Sequence, residues 1–178
     1  MITRPIRLAH IVFYTADLRR MSDWYCTVLG AEVVNGNDFI AFLTYDDEHH
    51  RIALIAPPNI APKPPGVTVG FYHSAFTYAG LTELLETHDR LRGLGITPRR
   101  TIHHGPTISF YYTDPDGNDV ELQVDRFDNA RDAQAWMKGP AFTANPIGID
   151  FEVGDLRRRL ASGEPVASIM IRPDEIVR

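Results

Sequence analysis

The sequence has a single cysteine, Cys26, which excludes an intrachain disulfide framework and any thiolate-rich zinc site. Cys26 lies inside an apolar helical pattern and reads as a small core residue rather than a nucleophile. No apolar run approaches the ~20 residues that a membrane helix needs. The opening stretch "MITRPIRLAHIVFY" lacks the apolar core and small-residue cleavage site of a signal peptide, so a cytoplasmic chain is expected. Positive charge is also scarce: 18 Lys and Arg face 23 Asp and Glu, a net charge of −5, and the basic residues are scattered apart from "DLRRRL". That excludes the electrostatic footprint of a nucleic-acid binder and attraction to an anionic membrane. What is present is ordinary globular material, 44% apolar and 23% charged. The length, 178 residues, suits one domain with a sizeable core better than two independent ones.

The chain contains one unit twice. "RLAHIVFYTADLRRMSDWYCTVLGAEVV" lies over "GFYHSAFTYAGLTELLETHDRLRGLGITPRR" at an offset of 63, with His10 above His73, Phe13 above Phe76, Ala16 above Ala79 and Leu18 above Leu81. Leu29-Gly30 then meets Leu94-Gly95 after a slip of two residues. In each copy a β-rich run (7–15 and 70–78) leads into a helix. The first helix starts behind the N-cap Asp17 and carries Leu18, Met21, Tyr25, Val28 and Leu29 on one stripe; the second carries Leu81, Leu84, Leu85, His88 and Leu91. Three strand candidates follow each helix: "AEVVNG", "FIAFLTY" and "HRIALIA" in the first copy, "ITPRRTI", "TISFYYT" and "DVELQVD" in the second, the last two joined by the turn "DPDGN". "PPNIAPKPPG", with five prolines in ten residues, reads as a linker.

The expected architecture is therefore α+β: two paired βαβββ modules, 5–56 and 70–125, joined by a Pro-rich linker at 57–69 and followed by a tail at 126–178, all within a single domain. Modules this small are expected to pair, forming a curved sheet around a cleft that suits a small ligand. The tail carries two short helical patterns, around Asp132 to Met137 and Gly154 to Leu160. Its Trp136, Phe142 and "NPIGIDFEV" could cover the cleft or form a dimer surface.

Strand alternation puts His10 with Leu8, Val12 and Tyr14, opposite the helix-facing Ala9, Ile11 and Phe13. His73 sits likewise with Ala75 and Thr77, and Glu121 faces the same way between Val120 and Leu122. An inward carboxylate is costly unless it is paired or bound to a cation. A lone strand histidine is more often a packed core residue, but two at equivalent positions of a repeat, with an inward Glu, reverse that expectation. His10, His73 and Glu121 would leave coordination positions open, the donor set of non-haem Fe(II) oxygenases, which Zn or Mn can also use.

With these residues in view, the chain resembles the vicinal oxygen chelate superfamily over roughly residues 5–125. Within it, "IHHGPTISFYYTDPDGNDVEL" (102–122) resembles the pattern of type I extradiol ring-cleaving dioxygenases through Ile102, His104, Phe110-Tyr111, Asp114-Pro115, Gly117 and Glu121. "DEHHRIAL" (47–54) is similar to the histidine pair that opens their fourth strand, which makes His50 the acid/base by resemblance. The resemblance is to the single-domain members. It implies a metal centre of His10, His73 and Glu121 holding Fe(II), with Mn(II) as the alternative, and catalytic roles for His50, His104 and Tyr111. The implied reaction cleaves a catechol-type diol such as catechol or 2,3-dihydroxybiphenyl with O2. Tyr111 would hydrogen-bond a catecholate oxygen, His104 would hold the other oxygen or the ring, and His50 would accept and return a proton. Tyr112 is assigned to packing, and His49 and His103 to solvent contact or support of their neighbours. A homo-oligomer is expected, with no nucleic-acid or membrane partner.

Two other readings share the fold. A metal-dependent glyoxalase or glutathione transferase takes a carboxylate ligand from the last strand of each copy, whereas "HRIALIA" in the first copy has no acid or amide. An antibiotic-sequestering binding module needs no metal triad.

Overall fold

A strand requires a partner along its whole length, and this decides where both leading strands begin. A computed structural model describes residues 1–175 as two units. The first comprises Met1–Phe71 with Asp114–Asn118; the second runs from Tyr72 to Thr113 and from Asp119 onward. Both carry a mixed sheet with helices, an α+β arrangement. Among the described residues, no helix is long and apolar enough to cross a membrane.

In the first unit β1 (Ile11–Tyr14), α1 (Leu18–Leu29), β2 (Glu32–Gly36), β3 (Ile40–Thr44) and β4 (Ile52–Ile55) form a sheet of order β1-β4-β3-β2. β1 and β4 are parallel; the other pairs are antiparallel. The sequence predicts a strand from residue 7, but β4 first offers a partner, Ile52, opposite Ile11. Ahead of that point the Arg51 guanidinium donates to the carbonyls of Leu8 and Ala9, at 2.7 and 3.1 Å, so a side chain replaces the ladder. Helix α1 starts where Asp17 accepts from the Arg20 N–H at 3.0 Å and ends at Gly30, whose φ of 67° favours glycine. Its buried stripe, Met21, Tyr25 and Val28, packs on β3 and β4, where Leu43, Ile52 and Leu54 are buried. Each large apolar side chain buried this way stabilises the unit by roughly 1.5–3 kcal/mol. Cys26 is half-buried on the same helix, and burial pushes its thiol pKa up. Tyr25 spends its hydroxyl on Asp114 Oδ2 at 3.1 Å. Asp114 also accepts from the N–H groups of Asp116 and Asn118, so the "DPDGN" turn closes around a buried carboxylate.

In the second unit β5 (His73–Tyr78), α2 (Leu81–Gly93), β6 (Arg100–His103), β7 (Thr107–Thr113) and β8 (Asp119–Asp125) repeat the βαβββ order. Strand β5 begins at His73 because β8 first reaches it with Asp119. The candidate strand at 96–102 shortens because the Ile96 N–H donates back to the Leu91 carbonyl at 2.9 Å, closing α2. Leu81, Leu84, Leu85, His88 and Leu91 of α2 are buried, as the helical stripe predicts.

The tail adds α3 (Ala130–Met137), α4 (Pro140–Ala144), β9 (Ile149–Asp150), α5 (Val153–Ala161) and α6 (Val166–Ile169); its last three residues lie outside the described ones. Strand β9 extends the second sheet, order β5-β8-β7-β6-β9, by pairing antiparallel with β6. "NPIGIDFEV" thus includes a sheet edge, a use the sequence reading did not foresee. The arginines of "DLRRRL" pair with Asp89, Asp155 and Glu164, so they form no free cationic face.

Candidate active site

Four of the six side chains singled out in the sequence come together in the second unit. Alternation along β5 turns Ser74 inward and leaves His73, Ala75 and Thr77 on the other face. The register sets Ala75 and Tyr111 on either side of Glu121. Glu121 is only 5% exposed, and its neighbours Val120 and Leu122 are buried in the core. Its Oε2 lies 2.9 Å from His73 Nε2, and its Oε1 lies 3.9 Å from His104 Nε2. His104 Nε2 is 2.9 Å from the Tyr111 hydroxyl, and the His73 ring stands edge-on to Tyr111 at 5.6 Å.

The electrostatics follow from burial. Burial and then the Glu121 charge push the Tyr111 phenol well above its ordinary pKa, so it stays a hydrogen-bond donor. Burial pushes the His104 imidazole down, against the pull of the Ile147 carbonyl and Glu121. His73 Nδ1 is buried with no hydrogen-bond partner among the described residues.

A nearly buried carboxylate with imidazole against it, and an imidazole nitrogen left unused, fit a divalent first-row metal in donor type. Among the described residues no group of three His, Cys, Asp or Glu side chains is gathered to hold a metal ion. The second unit alone contributes two donors of the expected set, His73 and Glu121.

The first unit holds His10 and His50. Their rings stack at 4.4 Å and 30°, and His50 meets Phe42 edge-on at 5.1 Å. His50 Nδ1 lies 2.6 Å from His49 Nδ1, a contact that needs one N–H and one lone pair and leaves His50 Nε2 outside it. Burial, then His10 and His49, push the His50 pKa below its ordinary value, which favours the neutral ring. His49 is exposed, its Nε2 3.5 Å from Glu48.

Tyr112 is fully buried on the opposite face of β7 from Tyr111. His103, expected at most to support its neighbour, is buried, accepts from the Gly105 N–H at 3.2 Å and is pushed down to about 4 by burial. The sequence reading missed the tail's share of the site. His104 Nδ1 meets the Ile147 carbonyl at 2.5 Å, and the His104 carbonyl accepts from the buried Arg172 at 2.9 Å. The available signal was Gly148 inside an apolar, strand-like run, a mark of close backbone approach. Nothing in the sequence singles out Arg172.

The family model of the Glyoxalase/Bleomycin resistance protein/Dioxygenase superfamily matches residues 7–122. Biphenyl-2,3-diol 1,2-dioxygenase 2 of Rhodococcus globerulus is 43% identical over 94% of this chain and 88% of its own. Biphenyl-2,3-diol 1,2-dioxygenase 3 of the same organism is 43% identical over 93% and 88%. Among solved structures, a lactoylglutathione lyase from Agrobacterium tumefaciens superposes with a TM-score of 0.56 at 25% identity, covering 68% of this chain and 96% of that one.

Proposed function

Since the chain belongs to the Glyoxalase/Bleomycin resistance protein/Dioxygenase superfamily, we propose that it is an extradiol ring-cleaving dioxygenase acting on a catechol-type diol such as 2,3-dihydroxybiphenyl. Its similarity to two biphenyl-2,3-diol 1,2-dioxygenases over nearly its full length supports the reading. The observation that carries it is the buried Glu121 carboxylate against His73, with the Tyr111 hydroxyl and His104 beside it.

In this reading Fe(II) is held by His10, His73 and Glu121. When bound, it supplies a positive charge that acidifies the diol hydroxyls and an electron-rich centre for O2. Tyr111 keeps its proton and donates to an ionised diol oxygen, whose charge it stabilises without competing for the proton. His104 holds the other oxygen or the ring in register through Nε2. His50 takes a substrate proton on Nε2, its Nδ1 being engaged by His49, and returns it as the ring opens. Both atoms of O2 end in the product, one in a new carboxylate and one in a new ketone or aldehyde.

The test is anaerobic reconstitution with Fe(II), then 2,3-dihydroxybiphenyl or catechol in air, following oxygen uptake and the yellow ring-opened product. One O2 consumed per diol is expected. Stoichiometric iron with no oxygen uptake across a panel of catechols rejects the assignment.

A further inference from the structure

His104 is gripped from behind by the C-terminal tail. A carbonyl oxygen has lone pairs and no proton, so its 2.5 Å contact with the Ile147 carbonyl requires the proton on Nδ1. In the neutral ring Nε2 is then a bare acceptor, and Nε2 is the atom 2.9 Å from the Tyr111 hydroxyl. The Ile147 carbonyl is presented by a loop closed on itself. Asn145 Oδ1 accepts from the Gly148 N–H at 2.8 Å, and Asn145 Nδ2 donates to the Gly148 carbonyl at 3.0 Å. The loop rests directly on the histidine's backbone: at Gly148, φ 104°, a Cβ would fall 2.4 Å from the His103 carbonyl oxygen and 2.8 Å from His104 Cα.

Arg172 locks this arrangement. It is fully buried, and its Nη1 donates to the His104 carbonyl at 2.9 Å and to the Asn145 carbonyl at 2.8 Å. Its Nη2 donates to the Ala141 carbonyl at 2.8 Å, and Asp174 balances its charge at 2.7 Å. A buried guanidinium is tolerated only when its donors are used, and here they tie the loop to His104.

We propose that Asn145 and Arg172 are positioning residues that fix the Nδ1–H tautomer and ring orientation of His104, presenting a bare Nε2 next to the Tyr111 hydroxyl. The consequence for turnover rests on the ring-cleavage reading; the tautomer does not.

The test starts from the full-length wild-type protein labelled with 15N at histidine, as purified and again with diamagnetic Zn(II) in place of iron. Two-bond 1H–15N correlation at alkaline pH, with His104 assigned by its loss in His104→Gln, shows which nitrogen carries the proton. Protonated Nδ1 and bare Nε2 are expected; a proton on Nε2 overturns the proposal without any variant. Asn145→Ala is expected to give mixed tautomers at His104 and to lower kcat for 2,3-dihydroxybiphenyl about tenfold, short of the ~10²-fold that full misplacement costs, with little change in KM. Asn145→Asp, which keeps the acceptor for the Gly148 N–H, recovers most of both, and Arg172→Lys shifts the spectrum as Asn145→Ala does. A folded Asn145→Ala protein with the wild-type tautomer and kcat overturns the proposal. If the wild type cleaves no diol but the tautomer responds to Asn145→Ala, the reaction reading fails and the positioning role stands.

Discussion

At two matching ladder positions the two βαβββ units carry different side chains, and in the second unit these are Glu121 and Tyr111 of the candidate site. At the repeat offset of 63, Val12 corresponds to Ala75. Val12 faces Ala53 across β1 and β4, whereas Ala75 faces Glu121 across β5 and β8. Ala53 therefore stands where the second unit has its carboxylate. The next strand repeats the contrast: Phe42 faces Ala53, and Tyr111 faces Glu121. The first unit has a methyl group and a plain ring where the second has an acid and a phenol. Each helix-packed core lies on the other face of its sheet, so the frame persists while these side chains differ. A sheet of this topology sets where a site can form, and a few substituents on its far face decide whether one does.

The largest expected effect comes from making the second unit like the first. Glu121→Ala should abolish iron binding and lower turnover by about 10³-fold or more, beyond the 10–100-fold typical of losing a group that only supports a metal ligand. Iron stoichiometry and oxygen uptake on the same preparation check this. Retained iron with full activity would remove Glu121 from the site. His50→Ala tests the role proposed for the first unit. It should keep iron and lower kcat by about 10²–10⁴-fold, the range of a proton-transfer group. Loss of iron instead would make His50 a metal ligand.

The same contrast shows what the sequence could disclose. The helical stripes and the "DPDGN" turn were legible because periodicity and turn chemistry are local, and they were read correctly at Asp17, Met21, Tyr25 and Leu84. Strand starts were overextended at residues 7 and 70, because a strand ends where its partner does and the partner is remote in sequence, and at 96, where the chain still closes α2. The proximity of His73 and Glu121 was expected from alternation, and His104 and Tyr111 were placed beside them only by the family resemblance. The support behind this cluster was not expected. Strand β9 has two residues, too few for any period, and Arg172 is buried by segments around residues 104, 141 and 145 that no local pattern links to it.

Buried histidine also separates the units: His10 and His49 are exposed and His50 is half-buried, whereas His103 is buried. Folding lowers the His103 pKa from 6.5 to about 4. Between those values the unfolded chain binds a proton that the folded chain rejects, so stability rises with pH there. Its contribution is fully present above pH 6.5 and lost as pH falls towards 4, about 3 kcal/mol in all. Urea unfolding at a series of pH values should show this slope, and His103→Gln should remove most of it. An unchanged slope would assign the acid sensitivity elsewhere, with the buried His88 as the next group to test.

The smallest effect isolates a single oxygen atom. Tyr111→Phe gives β7 the ring that β3 carries at Phe42, leaves His73 and the helix-packed face of the sheet intact, and removes the phenol's hydrogen bond to Glu121. The phenol's one proton is lost, and with it the hydrogen bond to the diol anion, worth roughly 1.5 kcal/mol for a bond to a charged group, or about tenfold in kcat. Iron content and unfolding midpoint should stay near wild type, because Phe keeps the buried ring and the hydroxyl removed faces His104 and Glu121 rather than the helix. A loss as large as that of Glu121→Ala would mean that the phenol holds the carboxylate in place, making Tyr111 part of the site's scaffold. A loss near tenfold with iron retained would keep it as the donor to substrate, and would show that the acid and the phenol of the second unit act separably.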